Sequence, residues 1–106
     1  MTDVKLMVVY PHPTDTVQFD RDYSDHIRLI HQKMNISEDS RPYTVTRFLP
    51  TPGGPAPFYR LFTMPFPSAE ALQQAMSSPE MQEVAADAAR ISSGGAPVIL
   101  VGSEEE

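Results

Sequence analysis

The spacing of apolar residues changes along the chain in an order that only a few folds can satisfy. Between the first two of four strand-like runs, and again between the last two, apolar residues recur at helical spacing. The resulting order, β-α-β-β-α-β, predicts an α+β fold of the ferredoxin-like type. The four runs, rich in β-branched and aromatic residues, are Val4–Tyr10, Tyr43–Leu49, Phe58–Phe66 and Pro97–Val101.

Capping residues mark the ends of both predicted helices. The first begins after Thr14 or Asp15, both residue types that accept hydrogen bonds from the free N–H groups of a first turn, and runs to about Asn35. The second begins after Ser68, restarts at Pro79 and ends at Gly94-Gly95. Both segments carry an apolar stripe that can pack on a sheet.

The remaining segments do not suggest a second domain. With 106 residues, the chain is long enough for one domain, predicted over 1–106 with an ordered core at about 4–102. Residues 50–57 are dense in proline and glycine and predict a loop. Glu104–Glu106 is a charged tail that we expect to fray.

The predicted strands are apolar on both faces, which indicates a homodimer. In the first strand Leu6 and Val8 point one way, whereas Met7 and Val9 point the other. Helices cover only one face of a ferredoxin-like sheet, so the other would expose an apolar patch on the order of several hundred Å², which monomers rarely tolerate. A second copy packed sheet to sheet is the simplest cover. Long loops folded over the sheet are the alternative.

Charge and composition exclude several classes of partner. The net charge is −6 and the basic residues are scattered, which argues against nucleic acid and anionic lipid. There is no cysteine, so disulfides and thiol nucleophiles are excluded. No apolar run is long enough to span a membrane, and Met1–Lys5 does not resemble the start of a signal peptide. We expect a cytoplasmic protein.

His26 is the leading candidate for a catalytic or ligand-orienting residue. It lies on the first helix between Tyr23 and Ile30, at the margin of the buried stripe. An imidazole there could exchange a proton near neutral pH. The same spacing also fits a histidine that merely packs and bonds a carbonyl group. Because His31 falls on another side of the helix and His12 lies between two prolines, we expect no metal site and no cofactor.

Three tyrosines and one arginine complete the candidate ligand site. Tyr10, Tyr23 and Tyr59 fall near a strand or a buried helix face, and each offers an apolar body with one polar tip. Arg60 interrupts an aromatic strand face and needs a carboxylate or a bound anion as its partner. Each tyrosine could instead be a core residue, and Arg60 could form a structural ion pair.

Six short segments resemble the EthD-type family, which is named for a role in degrading ethyl tert-butyl ether. Taken together, they extend over about residues 4 to 102. The chain departs from the family after His26, where Ile27-Arg28-Leu29 stands in place of a residue, a proline and a leucine. The segments are Lys5–Pro11, Phe19–His26, Tyr59–Arg60, Ser68–Leu72, Ser77–Glu80 and Gly94–Gly95.

The resemblance implies a dimeric α+β barrel with a cleft between each sheet and its first helix. It carries over only His26 as a site residue. Wider relatives of this architecture include polyketide cyclases, muconolactone isomerases and cofactor-free monooxygenases, which act on aromatic or cyclic carbonyl compounds. Similarity of fold alone does not decide between such functions.

Three functions therefore stand open. The first is a small-molecule binding or accessory protein of catabolic or secondary metabolism, whose cleft is lined by Tyr10, Tyr23, His26 and Arg60. The second is a cofactor-free isomerase or cyclase, in which His26 moves a proton α to a carbonyl and Arg60 or a tyrosine steadies the enolate oxygen. The third is a structural dimer module without a ligand. The first two require a pocket of about 300 Å³ or more beside His26, whereas the third predicts none.

Overall fold

The predicted order of strands and helices is present in a computed structural model that describes residues 4–104. All neighbouring strands are antiparallel, and the sheet has the order β2-β3-β1-β4. This arrangement confirms the ferredoxin-like α+β fold. The elements are β1 (Val4–Tyr10), α1 (Thr16–Lys33), β2 (Thr44–Arg47), β3 (Arg60–Phe66), α2 (Ala69–Met76), α3 (Pro79–Ile91) and β4 (Val98–Ser103).

Short polar side chains fix the starts of the helices. Asp15, Ser68 and Ser78 each accept a hydrogen bond of 3.1 Å from the backbone N–H three residues ahead. The first helix ends at Lys33, slightly before the predicted end at Asn35. The reason is that Asn35 has a φ of 56°, in the left-handed region that terminates a helix.

The strands differ from the prediction at their ends and not in their order. The second strand is shorter than predicted and the third begins at Arg60, because the segment between them forms its own turn. Thr51 and Gly54 exchange two backbone hydrogen bonds of 2.9 Å in that turn. The fourth strand begins after Pro97, which has no N–H for the ladder, and continues to Ser103.

The main core lies between the three helices and one face of the sheet. Strand register puts Leu6, Val8 and Tyr10 on this face, opposite Met64, Phe62 and Arg60 respectively. All three helices contribute to one buried cluster, so they cover the same side. Its members are Leu6, Ile30, Tyr43, Phe62, Met64, Leu72, Met81 and Val84.

The other face of the sheet is also apolar, as the alternation predicts. Met7 pairs with Leu100, and Val9 pairs with Leu61 on one side and Val98 on the other. None of the helices within residues 4–104 lies on this side, and Val98 and Leu100 are 41% and 47% exposed in the single chain. We call Met7, Val9, Leu61, Val98 and Leu100 the open face.

The predicted charged tail is described only at its first residue. Glu104 forms an ion pair with Lys5 of β1, whereas Glu105 and Glu106, like Met1–Asp3, lie outside the described residues. In the described part of the chain, no helix is both long and apolar enough to cross a bilayer.

Candidate functional site

A cavity of about 100 Å³ lies between the sheet, α1 and α3. Exposed side chains of Gln82, Ala85 and Ile99 border its open side. The cavity is smaller than the expected 300 Å³ and also smaller than the apolar cavity of about 150 Å³ that can hold benzene, so a single-ring ligand would extend into the open side. Apart from Gln82 and the residues named below, its wall is apolar and includes Leu6, Val8, Ile30, Met34, Phe62, Met76, Met81, Val84 and Ala88.

His26 reaches this cavity from the middle of α1. It is 3% exposed, and its Nδ1 lies 2.8 Å from Oδ2 of Asp87 on α3. Arg90, one turn further along α3, donates from Nε to the other carboxylate oxygen of Asp87 at 2.9 Å, and its Nη2 lies 2.8 Å from the same oxygen. The carboxylate is therefore held between the two helices and against the imidazole.

These contacts fix which nitrogen of His26 carries the proton. Burial alone would raise the pKa of Asp87, but hydrogen bonds from His26 and Arg90 outweigh it and lower that pKa, so the carboxylate is ionised and can only accept. Nδ1 therefore carries the hydrogen. Burial also lowers the pKa of His26, despite the opposing effect of Asp87, and the ring is neutral at neutral pH. Its Nε2 is then an unprotonated acceptor, and no hydrogen bond joins it to any residue within 4–104.

Tyr10 supplies a second polar group to the cavity. It is 1% exposed and packs edge-on against the rings of Phe19 and Tyr23, with centroids 5.4 and 5.6 Å apart. Burial, reinforced by Tyr23 and Asp87, raises the pKa of its hydroxyl well above the usual value. The hydroxyl therefore stays protonated and can donate a hydrogen bond. Tyr10 and His26 both line the cavity.

The other predicted ligand-binding residues, Tyr23, Tyr59 and Arg60, do not line the cavity. Arg60 Nη2 donates to Asp20 Oδ1 at 2.9 Å, and the guanidinium lies 4.7 Å from the ring centre of Tyr23. The Tyr59 hydroxyl donates to the same Asp20 oxygen at 3.2 Å. These contacts are those of a structural ion pair, which argues against direct ligand binding by Arg60 and Tyr59. The Tyr23 hydroxyl is buried and has no partner among the described residues. A ligand-binding role for these three residues stays a prediction.

The remaining histidines have contacts outside this cavity. His31 Nδ1 donates to the Ser37 carbonyl at 3.1 Å, and its Nε2 accepts from the Tyr43 hydroxyl at 2.5 Å. His12 is exposed and donates from Nε2 to the Ala56 carbonyl at 2.6 Å. Across residues 4–104, no three His, Asp or Glu side chains come together as possible metal ligands.

Comparison with known proteins identifies the family. The EthD domain model matches residues 11–95, which include α1, β2, β3, α2 and α3. The chain belongs to the EthD family. The resemblance seen in the short motifs is thereby confirmed.

Relatives of this EthD-family protein extend over nearly its whole length. It is 32% identical over 101 residues to an uncharacterized 11.0 kDa protein in the thcB-thcC intergenic region of Rhodococcus erythropolis, with 94% of each chain covered. It is 31% identical to an EthD family protein from Bacillus halodurans C-125 of known structure, with a TM-score of 0.81 and 97% and 99% of the two chains covered. A dimeric ferredoxin-like protein of unknown function from Thermobifida fusca shares the fold at 10% identity, with a TM-score of 0.63 and 97% and 92% coverage.

Asp87 and Arg90 were not predicted as site residues of this EthD-family chain. Asp87 lies three residues after Val84 and four before Ile91, so it falls on the edge of the buried stripe of α3. An acidic residue at that position is the signal that the sequence offers. Its partner could not be identified, because His26 is 61 residues away.

Proposed function

We propose that this EthD-family protein binds a small, neutral, mostly apolar organic molecule that carries a polar oxygen. It would act as a binding or accessory protein of catabolic or secondary metabolism. The observation that carries the proposal is that the buried residues His26 and Tyr10 line a cavity whose wall is otherwise apolar, apart from the exposed Gln82 at its open side.

The Nε2 atom of His26 supports a ligand site over simple packing. It has no hydrogen-bond partner within residues 4–104, yet it does not belong to the fully buried polar atoms without a partner, so water can reach it. A ligand hydroxyl, or an ordered water in its absence, would pair with this accessible acceptor.

We also propose that the protein is a homodimer that packs open face to open face. The support is the apolar character of Met7, Val9, Leu61, Val98 and Leu100, together with the dimeric neighbour of the same fold. An isologous sheet-to-sheet contact would remove both patches from water at once.

A cofactor-free isomerase or cyclase is the second candidate, and the pairing of His26 with Asp87 favours it. Nε2 could take a proton from the carbon α to a ligand carbonyl while the Tyr10 hydroxyl donates to the enolate oxygen. Asp87 would stabilise the imidazolium, which then returns the proton to another atom of the same ligand. The structural-module alternative stays open, because the cavity beside His26, at about 100 Å³, is smaller than the 300 Å³ expected for the first two functions.

The binding proposal is tested by blocking the open side of the cavity. Ala85 borders the cavity whereas Ala86 faces the outer groove of α3, and both are exposed, so Ala85→Phe and Ala86→Phe are a matched pair. Cyclohexanol and benzaldehyde are titrated while the methyl resonances of Ile30 and Val84 are followed by NMR. We expect saturable shifts in the wild type and Ala86→Phe that are lost in Ala85→Phe. Shifts that do not saturate, or that persist equally in Ala85→Phe, would contradict the proposal.

The catalytic alternative has its own readout. Cyclohexanone is incubated with the protein in D2O, and deuterium uptake next to the carbonyl is measured by mass spectrometry. An enzyme that moves this proton should accelerate uptake, and His26→Gln should abolish the acceleration. Equal rates with wild type and His26→Gln would leave only the binding function.

A further inference from the structure

We propose that Asp87 is a positioning residue that makes the cavity nitrogen of His26 an acceptor, so that the cavity selects a hydroxyl compound over the corresponding ketone. The proposal rests on the proposed binding function, because it names the ligand class of the same cavity. It adds a role for a residue on α3 that does not itself line the cavity.

The geometry around Asp87 leaves one arrangement of hydrogen bonds. Both contacts from Arg90 go to Oδ1, so Oδ2 is left for His26 Nδ1 at 2.8 Å. Arg90 is largely exposed, so its ion pair adds little to folding stability and serves mainly to orient the Asp87 carboxylate. Since a carboxylate only accepts, the imidazole hydrogen is held on Nδ1 and the cavity side of the ring presents a lone pair.

Two buried polar residues, His26 and Tyr10, then determine which ligand groups are favourable, since Gln82 is exposed at the open side of the cavity. A hydroxyl oxygen can donate to His26 Nε2 and accept from the Tyr10 hydroxyl, which satisfies all three groups. A ketone oxygen can accept from Tyr10 but leaves Nε2 without a donor and brings two lone pairs together. A carboxylate would add a second negative charge near Asp87 in an apolar wall, which is unfavourable.

Replacing Asp87 by asparagine should reverse this preference. With Arg90 still donating to the side-chain oxygen, the amide NH2 of Asp87→Asn faces His26 and donates to Nδ1. The imidazole hydrogen then moves to Nε2, as happens when the aspartate of a serine-protease triad is replaced by asparagine. Asp25→Asn is the matched control, because Asp25 precedes His26 on α1, is 67% exposed and pairs with Arg28 on the same helix.

The experiment measures ligand preference and tautomer separately. Cyclohexanol and cyclohexanone, which share a ring and differ in the oxygen group, are titrated into each protein by NMR or calorimetry. We expect the wild type and Asp25→Asn to bind cyclohexanol about tenfold more tightly, equivalent to about 1.4 kcal/mol, and Asp87→Asn to prefer cyclohexanone. Nitrogen-15 shifts of the His26 ring, recorded without ligand, should show Nδ1–H in the first two proteins and Nε2–H in Asp87→Asn.

Each result decides the proposal. Equal affinities in the wild type, an unchanged preference in Asp87→Asn, or an Nε2–H tautomer in the wild type would overturn it and leave the binding function intact. If neither compound binds the wild type, the binding function fails and this inference fails with it. Should Asp87→Asn not fold, the wild-type tautomer and preference still distinguish these outcomes.

Discussion

Nη2 of Arg60 lies 2.9 Å from Oδ1 of Asp20, and this charged hydrogen bond ties β3 to α1 beside the tyrosine cluster. The Arg60 side chain is 9% exposed, so its buried positive charge is stabilised by the carboxylate of Asp20, which is itself 43% exposed. Asp20→Asn leaves the buried guanidinium with a neutral partner and should lower the free energy of unfolding by about 1–2 kcal/mol, reduced from a fully buried pair by solvent screening. Urea unfolding measures the change.

The control for this prediction is Asp25→Asn. Asp25 pairs with Arg28 on the same helix, and both side chains are more than 60% exposed, at 67% and 79%. Exposed pairs contribute little, so this variant should unfold close to the wild-type midpoint. Equal losses in the two variants would show that burial of Arg60 does not strengthen its pair.

Much of the fold could be predicted from local patterns in the sequence. Asp15, Ser68 and Ser78 are helix caps both by residue type and in the structure. The two apolar faces of β1 could be assigned from alternation, because side chains of a strand point to opposite faces in turn. The end of β2 was harder to place, since a Pro- and Gly-rich turn and an exposed edge strand give no sharp boundary.

The candidate site could be predicted only in part. His26 and Tyr10 line the cavity, and both lie on elements whose periodicity indicated burial. Asp87 depends on how α1 and α3 pack, and spacing within one helix says nothing about the partner across an interface. The burial of Arg60 could be inferred from its strand, but the choice of Asp20 over a bound anion required tertiary contacts.

The stability of the protein should depend on the protonation of His26. Its pKa is lowered in the folded state by burial, with Asp87 opposing and Arg90 assisting that shift, while the unfolded imidazole keeps the ordinary value of 6.5. As pH falls below 6.5, the unfolded chain binds a proton that the folded chain resists, so stability decreases. His26→Gln should flatten this dependence between pH 7.5 and about 5.5. Asp87 should cause a separate loss of folding stability at pH values below 3.8, because its pKa is also lowered in the folded state.

Urea unfolding at the two pH values tests the His26 dependence. His12→Gln is the control, because His12 is exposed and its imidazole contacts the Ala56 carbonyl and the ring of Tyr59. It should keep the wild-type loss of stability on acidification. If His26→Gln loses as much stability on acidification as the wild type does, another group is responsible for the pH dependence.

The open face makes a prediction about assembly. Leu100 lies in the edge strand β4, is 47% exposed in the single chain and pairs with Met7. Leu100→Lys would place a charge in the proposed sheet-to-sheet contact and should shift the protein toward monomer, with little effect on the fold of each chain. Sedimentation equilibrium measures the dissociation constant.

Val17→Lys is the matched control for assembly. Val17 is also an exposed apolar residue, at 63%, but it lies near the start of α1, on the helix side of the sheet. It should leave the dimer unchanged. A wild-type protein that is monomeric at all concentrations, or a dimer that is equally stable in Leu100→Lys, would contradict a contact through the open face.

The segment after α3 should tolerate no side chain at Gly94. A Cβ there would lie 1.7 Å from the carbonyl oxygen of His12 and 2.7 Å from its carbonyl carbon, so either backbone must move. Gly94→Ala should therefore lower the free energy of unfolding by about 1–3 kcal/mol or more, and it should displace His12 from the Ala56 carbonyl. In Gly53→Ala the nearest atom outside the adjacent residues is 3.6 Å from the new Cβ, so that variant should unfold near the wild-type temperature. Thermal unfolding of the two variants compares the sites directly: if both unfold at the same temperature, the packing of Gly94 against the segment that follows β1 does not stabilise the fold.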